Sequence, residues 1–207
     1  MKLKSLILLL GMMATGASFG ATGTFGSGVT FSTTSTEGTP IASGDHSSAS
    51  AATDLGTFGI GVGNTLNLTG AGILTWKNGT GDVTGARFEY RIYTVGATPG
   101  GFANQGLGFG SNASFTEYGV TGNGGGDQFW GDSESYGGGF VAVDLLAGRS
   151  AGDYEIEWFS VATTNEGDRF ENNSGNNYKA TFTVVPEPTS AALGLIGSAL
   201  LLRRRRL

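Results

Sequence analysis

Residues 86–96 read ARFEYRIYTVG. Phe88, Tyr90 and Ile92 fall on one side of an extended chain and Arg87, Glu89 and Arg91 on the other. That period of two marks a strand with one apolar and one solvated face. It returns in 153–164, DYEIEWFSVATT, where Tyr154, Ile156 and Trp158 oppose Glu155, Glu157 and Phe159. It returns again in 177–184, NYKATFTV, where Tyr178, Ala180, Phe182 and Val184 oppose Lys179, Thr181 and Thr183. Strands solvated on one side belong to antiparallel sheets. Upstream, 55–82 (LGTFGIGVGNTLNLTGAGILTWKNGTGD) alternates apolar residues with Gly, Asn and Thr, and Asn78-Gly79 is a strong turn dipeptide. No internal stretch sustains a 3.6-residue apolar period, and 38 glycines would weaken any helix. The expectation is an all-β domain over 55–184, an antiparallel β-sandwich of jelly-roll-like form.

Ahead of it, residues 21–54 are rich in Ser, Thr, Gly and Ala. GTFGSGVTFSTT, 23–34, places Phe25, Val29 and Phe31 among small residues and predicts one strand. The rest of the segment has too few apolar side chains to offset the entropy of ordering, and reads as a long loop or mobile arm. Its Ser/Thr density is compatible with O-linked sugars.

Between residues 21 and 184 stand six basic and sixteen acidic residues, a net charge of −10. That balance argues against nucleic acid and anionic lipid as partners of this region, since both recruit basic patches. Cysteine is absent, which removes disulfides, thiolate metal sites and a cysteine nucleophile. The one histidine, His46, sits in the Ser/Thr-rich arm, where an ordered base–nucleophile pair is not expected. No cofactor or metal is expected.

Gly-rich loops over 96–115 and 121–139 carry Phe102, Phe109, Phe129, Trp130 and Tyr136. Such rings can form platforms for sugars, with Asp127, Gln128, Asp132 and Asn123 supplying hydroxyl partners; they are equally what a β-core requires. The glycines do not form a phosphate loop, because no lysine follows at the needed spacing. Glu155 and Glu157 lie two apart on one strand face, about 7 Å between backbones. That spacing is one that glycosidase carboxylates use, though same-strand acids commonly form a solvated face. NEGDRFENNSGNN, 165–177, gathers Asp168, Glu171 and asparagines, and reads either as a turn-rich connection or as a set of oxygen ligands for calcium. Asn67, Asn78, Asn112 and Asn172 head Asn-x-Ser/Thr triplets, which this composition produces by chance.

The two ends of the chain read differently. Residues 1–20, MKLKSLILLLGMMATGASFG, have Lys2 and Lys4 before an apolar stretch and small residues after it, a secretory signal peptide cut after Gly20. Residues 185–207 read VPEPTSAALGLIGSALLLRRRRL. Pro186 and Pro188 hold a stiff extended tether. A helix apolar on all sides follows, and arginines end it on the cytoplasmic side. As a helix, 190–202 would cover about 20 Å of the roughly 30 Å hydrocarbon layer, so spanning requires arginine snorkelling and local thinning. The alternative is a short helix lying on the domain, with its basic end balancing the dipole.

This tail resembles the sorting signal of the PEP-CTERM proteins of Gram-negative bacteria: a Pro-Glu-Pro motif, a hydrophobic segment and an arginine-rich end. Here these are Pro186, Glu187 and Pro188, residues 191–202, and Arg203, Arg204, Arg205 and Arg206. The resemblance covers the tail alone. It implies recognition by the exosortase, a membrane transpeptidase-like sorting enzyme that cuts at or near the motif. Delivery would be to the cell surface or an extracellular polysaccharide matrix. With the signal peptide, it implies signal peptidase and the general secretion machinery as further partners, and a transient membrane anchor. The expected function is thus an exported, non-enzymatic structural or adhesive protein. The alternative is a carbohydrate-binding module, or a polysaccharide-active enzyme, that touches glycan through Trp130, Phe129, Asp127, Asp132 and Tyr136.

Overall fold

Alternating apolar residues at 154, 156 and 158 make a strand with one buried edge of side chains, and half of the fold is laid around it. The structure is a computed structural model and describes residues 20–34, 53–60, 63–132 and 139–186. The expected signal helix, His46 with most of the arm, Tyr136, and the tail from Glu187 through Pro188 to Arg203–Arg206 lie outside the described residues. The strands are β1 (Ala21–Thr34), β2 (Thr53–Gly59), β3 (Thr65–Asn78), β4 (Val83–Thr94) and β5 (Ala103–Leu107). They continue as β6 (Phe109–Ser111), β7 (Ser114–Glu117), β8 (Val120–Asn123), β9 (Asp127–Gly131), β10 (Val143–Asp144), β11 (Gly152–Thr164), β12 (Arg169–Glu171) and β13 (Tyr178–Val185). Among the described residues the one helical element is a 3-10 turn, Asn173–Gly175. The chain is all-β.

Two larger sheets form. The first has the order β1-β3-β9-β6, with β10 beside β3; the second has the order β2-β13-β11-β4-β5, with β12 beside β11. Pairing is antiparallel except that β2 runs parallel to β13, a departure from the purely antiparallel expectation. β4 and β11 pair from Thr94 opposite Tyr154 to Val83 opposite Thr164. The expected alternation therefore aligns: Phe88, Ile156, Trp158, Phe182 and Val184 are buried, and Tyr90 and Ile92 pack against them. Val29, Phe31, Leu66, Leu68, Ala71, Ile73 and Trp130 of the first sheet join the same cluster. Fully burying one such side chain contributes about 1.5–3 kcal/mol.

β1 and β3 are strands of fourteen residues and carry two irregularities that decide which side chains face this cluster. Register skips Phe25 on β1 and Thr69 on β3, and an extra residue reverses the alternation beyond it. So β3 buries Leu66 and Leu68 before its bulge and Ala71 and Ile73 after it. Phe25 turns away from Val29 and Phe31 and joins a second cluster with Leu74, Phe115, Phe129, Tyr118 and Val120. Its expected alignment with Val29 and Phe31 is corrected by that bulge.

The second cluster covers the far face of the first sheet. Its lid is the β7–β8 hairpin, where Glu117 pairs with Val120 around Tyr118 and Gly119. Both loop residues have positive φ, 51° and 72°, as a two-residue type I′ turn requires. Gly28 and Gly72 face each other across β1 and β3 and leave a floor for the rings. A Cβ on Gly72 would sit 2.7 Å from Phe129 Cε2 and 2.8 Å from Tyr118 Cε2. The two Gly-rich segments expected as loops thus hold β5 to β9, because there glycine is the complement of an aromatic ring.

The chain enters and leaves at opposite ends. The Ala21 amide donates to Asn78 Oδ1 (2.9 Å), and Thr22 Oγ1 to Thr164 Oγ1 (3.1 Å), at the last residue of β11. Val184 pairs with Gly152, the first residue of β11, and the Ile60 amide donates to the Val185 carbonyl (2.9 Å). The length of β11 separates these ends by roughly 40 Å.

Candidate functional site

Side chains facing outward from the centre of the second sheet form a connected polar network. Glu155 and Glu157 project from β11 between β4 and β13, as alternation requires, so Arg91 and Tyr93 flank them on one side and Lys179 on the other. Arg91 donates to Glu157 Oε2 from Nε (2.9 Å) and Nη2 (2.7 Å), and from Nη1 to the Gly100 carbonyl (3.1 Å). Asn177 Nδ2 donates to Glu157 Oε1 (2.6 Å), and Tyr93 Oη to Glu157 Oε2 (3.1 Å). Tyr93 also donates to Glu155 Oε1, which Lys179 Nζ meets at 2.8 Å.

These partners set the ionisation of the group. Burial works against the Glu157 carboxylate, but Asn177, Arg91 and Tyr93 outweigh it and hold its carboxyl below the usual range. Burial and the bond to Glu155 push the Tyr93 hydroxyl up to about 12. Glu155 holds the Lys179 ammonium above its ordinary value. A general acid needs a raised carboxyl, and Glu157 is shifted the other way with both oxygens engaged. The glycosidase spacing expected of Glu155 and Glu157 holds a charge network here.

Beside the network lies a row of rings. Phe159 of β11 meets Phe102 edge-on at 4.9 Å between centroids, and Phe170 of β12 at 6.3 Å. The Arg91 guanidinium lies over Phe102 at 4.3 Å. Phe170 is exposed. Arg87 closes the row with Glu89 (2.8 Å) and Asp168 (2.9 Å), which hold its guanidinium above the ordinary value.

The residues expected to touch sugar are elsewhere. Phe129 and Trp130 are adjacent on β9 and point into opposite clusters, at 0% and 9% exposure. Neither offers a ring face to a ligand, which corrects the platform reading for this pair. Trp130 Nε1 has no hydrogen-bond partner among the described residues. Asp127 Oδ2 accepts from the Asn123 amide (2.9 Å), and Asp132 Oδ2 from the Phe140 amide (2.8 Å), both as loop staples. Gln128 is buried. Phe109 is exposed beside Trp130, with centroids 5.1 Å apart.

The 165–177 segment spends its polar groups on protein partners, most of them on neighbouring strands and turns. Asn165 bridges the Asp82 amide and the Thr80 carbonyl, Glu166 meets Arg169, Asp168 meets Arg87, and Glu171 accepts from Tyr178 Oη. Among the described residues no three of His, Cys, Asp and Glu gather as a metal site. Sequence alternation placed Arg91, Glu155, Glu157, Phe159 and Lys179 facing outward. The same alternation puts Tyr93 and Asn177 on that face, but it carried no sign that they, with Phe102 and Phe170, meet the two glutamates or Phe159, since strand neighbours are set by distant pairing. Compared with known proteins, the chain matches no family model and no curated protein.

Proposed function

We propose that this chain is an exported, non-enzymatic protein of the cell envelope or extracellular matrix, sorted and trimmed through its C-terminal tail by an exosortase-type enzyme. The observation that carries the reading is where the last described strand ends. Val185 ends β13, Pro186 is exposed directly after it, and the Pro-Glu-Pro motif, apolar run and four arginines follow without interruption. A last described strand that ends one residue before the motif, with Pro186 exposed, suits a motif offered to a membrane enzyme. The body is an antiparallel β-sandwich in this proposal, supported by the one cluster to which both larger sheets contribute. Its structural role is supported by Glu157, whose two oxygens are engaged. Replacing residues 186–206 with a scrambled tail in the producing cell tests the sorting. The native chain should reach the cell surface or medium shortened, whereas the scrambled one should stay full-length in the membrane fraction; equal distribution would refute the proposal.

A second reading, glycan binding, is favoured by the Phe102–Phe159–Phe170 row beside hydrogen-bonding groups. Affinity electrophoresis through neutral polysaccharide gels tests it. Phe170→Ala should abolish any retardation, while Phe109→Ala on the other sheet should not.

A further inference from the structure

We propose that the end of the domain from which the tail leaves rests in the lipid headgroup layer while the chain is anchored, with Ile60, Val95 and Val185 as its apolar contacts. The inference rests on the tail being a membrane anchor and adds how the domain is held against the bilayer.

The three residues stand at one end of one sheet, Ile60 after β2 and Val185 on the adjacent β13, with Val95 after β4 on the far side of β11. The Ile60 amide bonds the Val185 carbonyl, and the Val95 amide bonds the Asp153 carbonyl (2.9 Å each), so they follow one another along the β2-β13-β11-β4 edge. Their exposures are 42%, 52% and 38%. Isolated exposed aliphatics are ordinary on soluble surfaces; these three share the sheet end from which the tail leaves.

Tether length supplies the second argument. Residues 186–189 separate the strand end from the apolar run, at most about 14 Å of extended chain. The polar layer on each side of the hydrocarbon is itself about 5–8 Å thick. The apolar run is about 10 Å too short for the hydrocarbon core, and relieving that mismatch draws its flanks inward. Arginine side chains relieve it on one side by snorkelling. On the other side the only material within reach is the tether and the domain end. The opposite end, with Asn123 and the Asn78-Gly79 turn, is held roughly 40 Å away by β11. With a net charge of −10 over residues 21–184, the domain favours zwitterionic headgroups over anionic ones.

The absence of cysteine allows clean single-site labelling. The chain from Ala21 to Leu207, carrying Ile60→Cys, Val95→Cys, Asn123→Cys or Leu195→Cys with an environment-sensitive fluorophore, is reconstituted into phosphatidylcholine vesicles containing spin-labelled lipid. Quenching by a shallow label should be at least threefold stronger at residues 60 and 95 than at 123, and residue 195 should be quenched by a deep label. If residue 195 is quenched but 60 and 95 match 123, the docked end is wrong while the anchor stands. If residue 195 is also silent, both fall. A melting temperature for each labelled chain confirms that the domain is folded.

Discussion

The ring of Tyr118 occupies the place where a Cβ on Gly28 would stand: two ring carbons and the Tyr118 Cβ lie less than 3.0 Å from that position. Tyr118 reaches it from a positive-φ turn and anchors its hydroxyl on the Asp132 carbonyl. Gly28→Ala must displace the ring or the strand, and overpacking of this kind costs about 1–3 kcal/mol. Thermal melting should show that loss. In the Tyr118→Ala background the same change should cost much less, and additive losses would mean that the two residues do not interact.

Arg91→Ala should destabilise the domain more than Lys179→Ala. Glu157 is buried and Arg91 is its cation, whereas Glu155 and Lys179 are more exposed. Breaking a fully buried pair costs about 3–5 kcal/mol; partial exposure of Arg91 lowers the expectation to about 2–3 kcal/mol. Lys179→Ala should cost under about 1 kcal/mol. Denaturant titration of both variants measures the difference.

In acid, Glu157 should make the domain less stable. Its carboxyl is lowered in the fold, so its contribution is complete above the ordinary value of 4.5 and is lost as pH falls through the folded value. Denaturant midpoints should decline below pH 4.5, and Arg91→Ala should flatten that decline.

In alkali the sign reverses. Tyr93 is raised from 10.0 to about 12, so its contribution is complete below pH 10 and is lost as pH rises toward 12. Burial, with Glu171 acting on Tyr178, raises Tyr118 and Tyr178 in the same direction. Absorbance titration should show these three ionising well above pH 10, or together with unfolding. Tyr93→Phe should remove part of the alkaline loss.

Strands with one wet face were readable in the sequence because their alternation is local. Phe88, Ile156, Trp158 and Phe182 are buried as their period of two required. The bulges at Phe25 and Thr69 were not readable, since each depends on the register between two chains. Nor was the burial of both Phe129 and Trp130, which needs a sheet covered on both faces, with the β7–β8 hairpin just upstream folding back over one of them. The outward network was half legible: alternation showed which residues face out, and only the order β13-β11-β4 shows that they meet.

The most direct test of the sorting tail is the intact mass of the protein recovered from outside the cell. The expected mass corresponds to a chain beginning near Ala21 and ending at or near Pro186-Glu187-Pro188, without the arginines. A product outside the cell that retains Arg203–Arg206, or one whose mass and location are unchanged when those closing residues are scrambled, would contradict it.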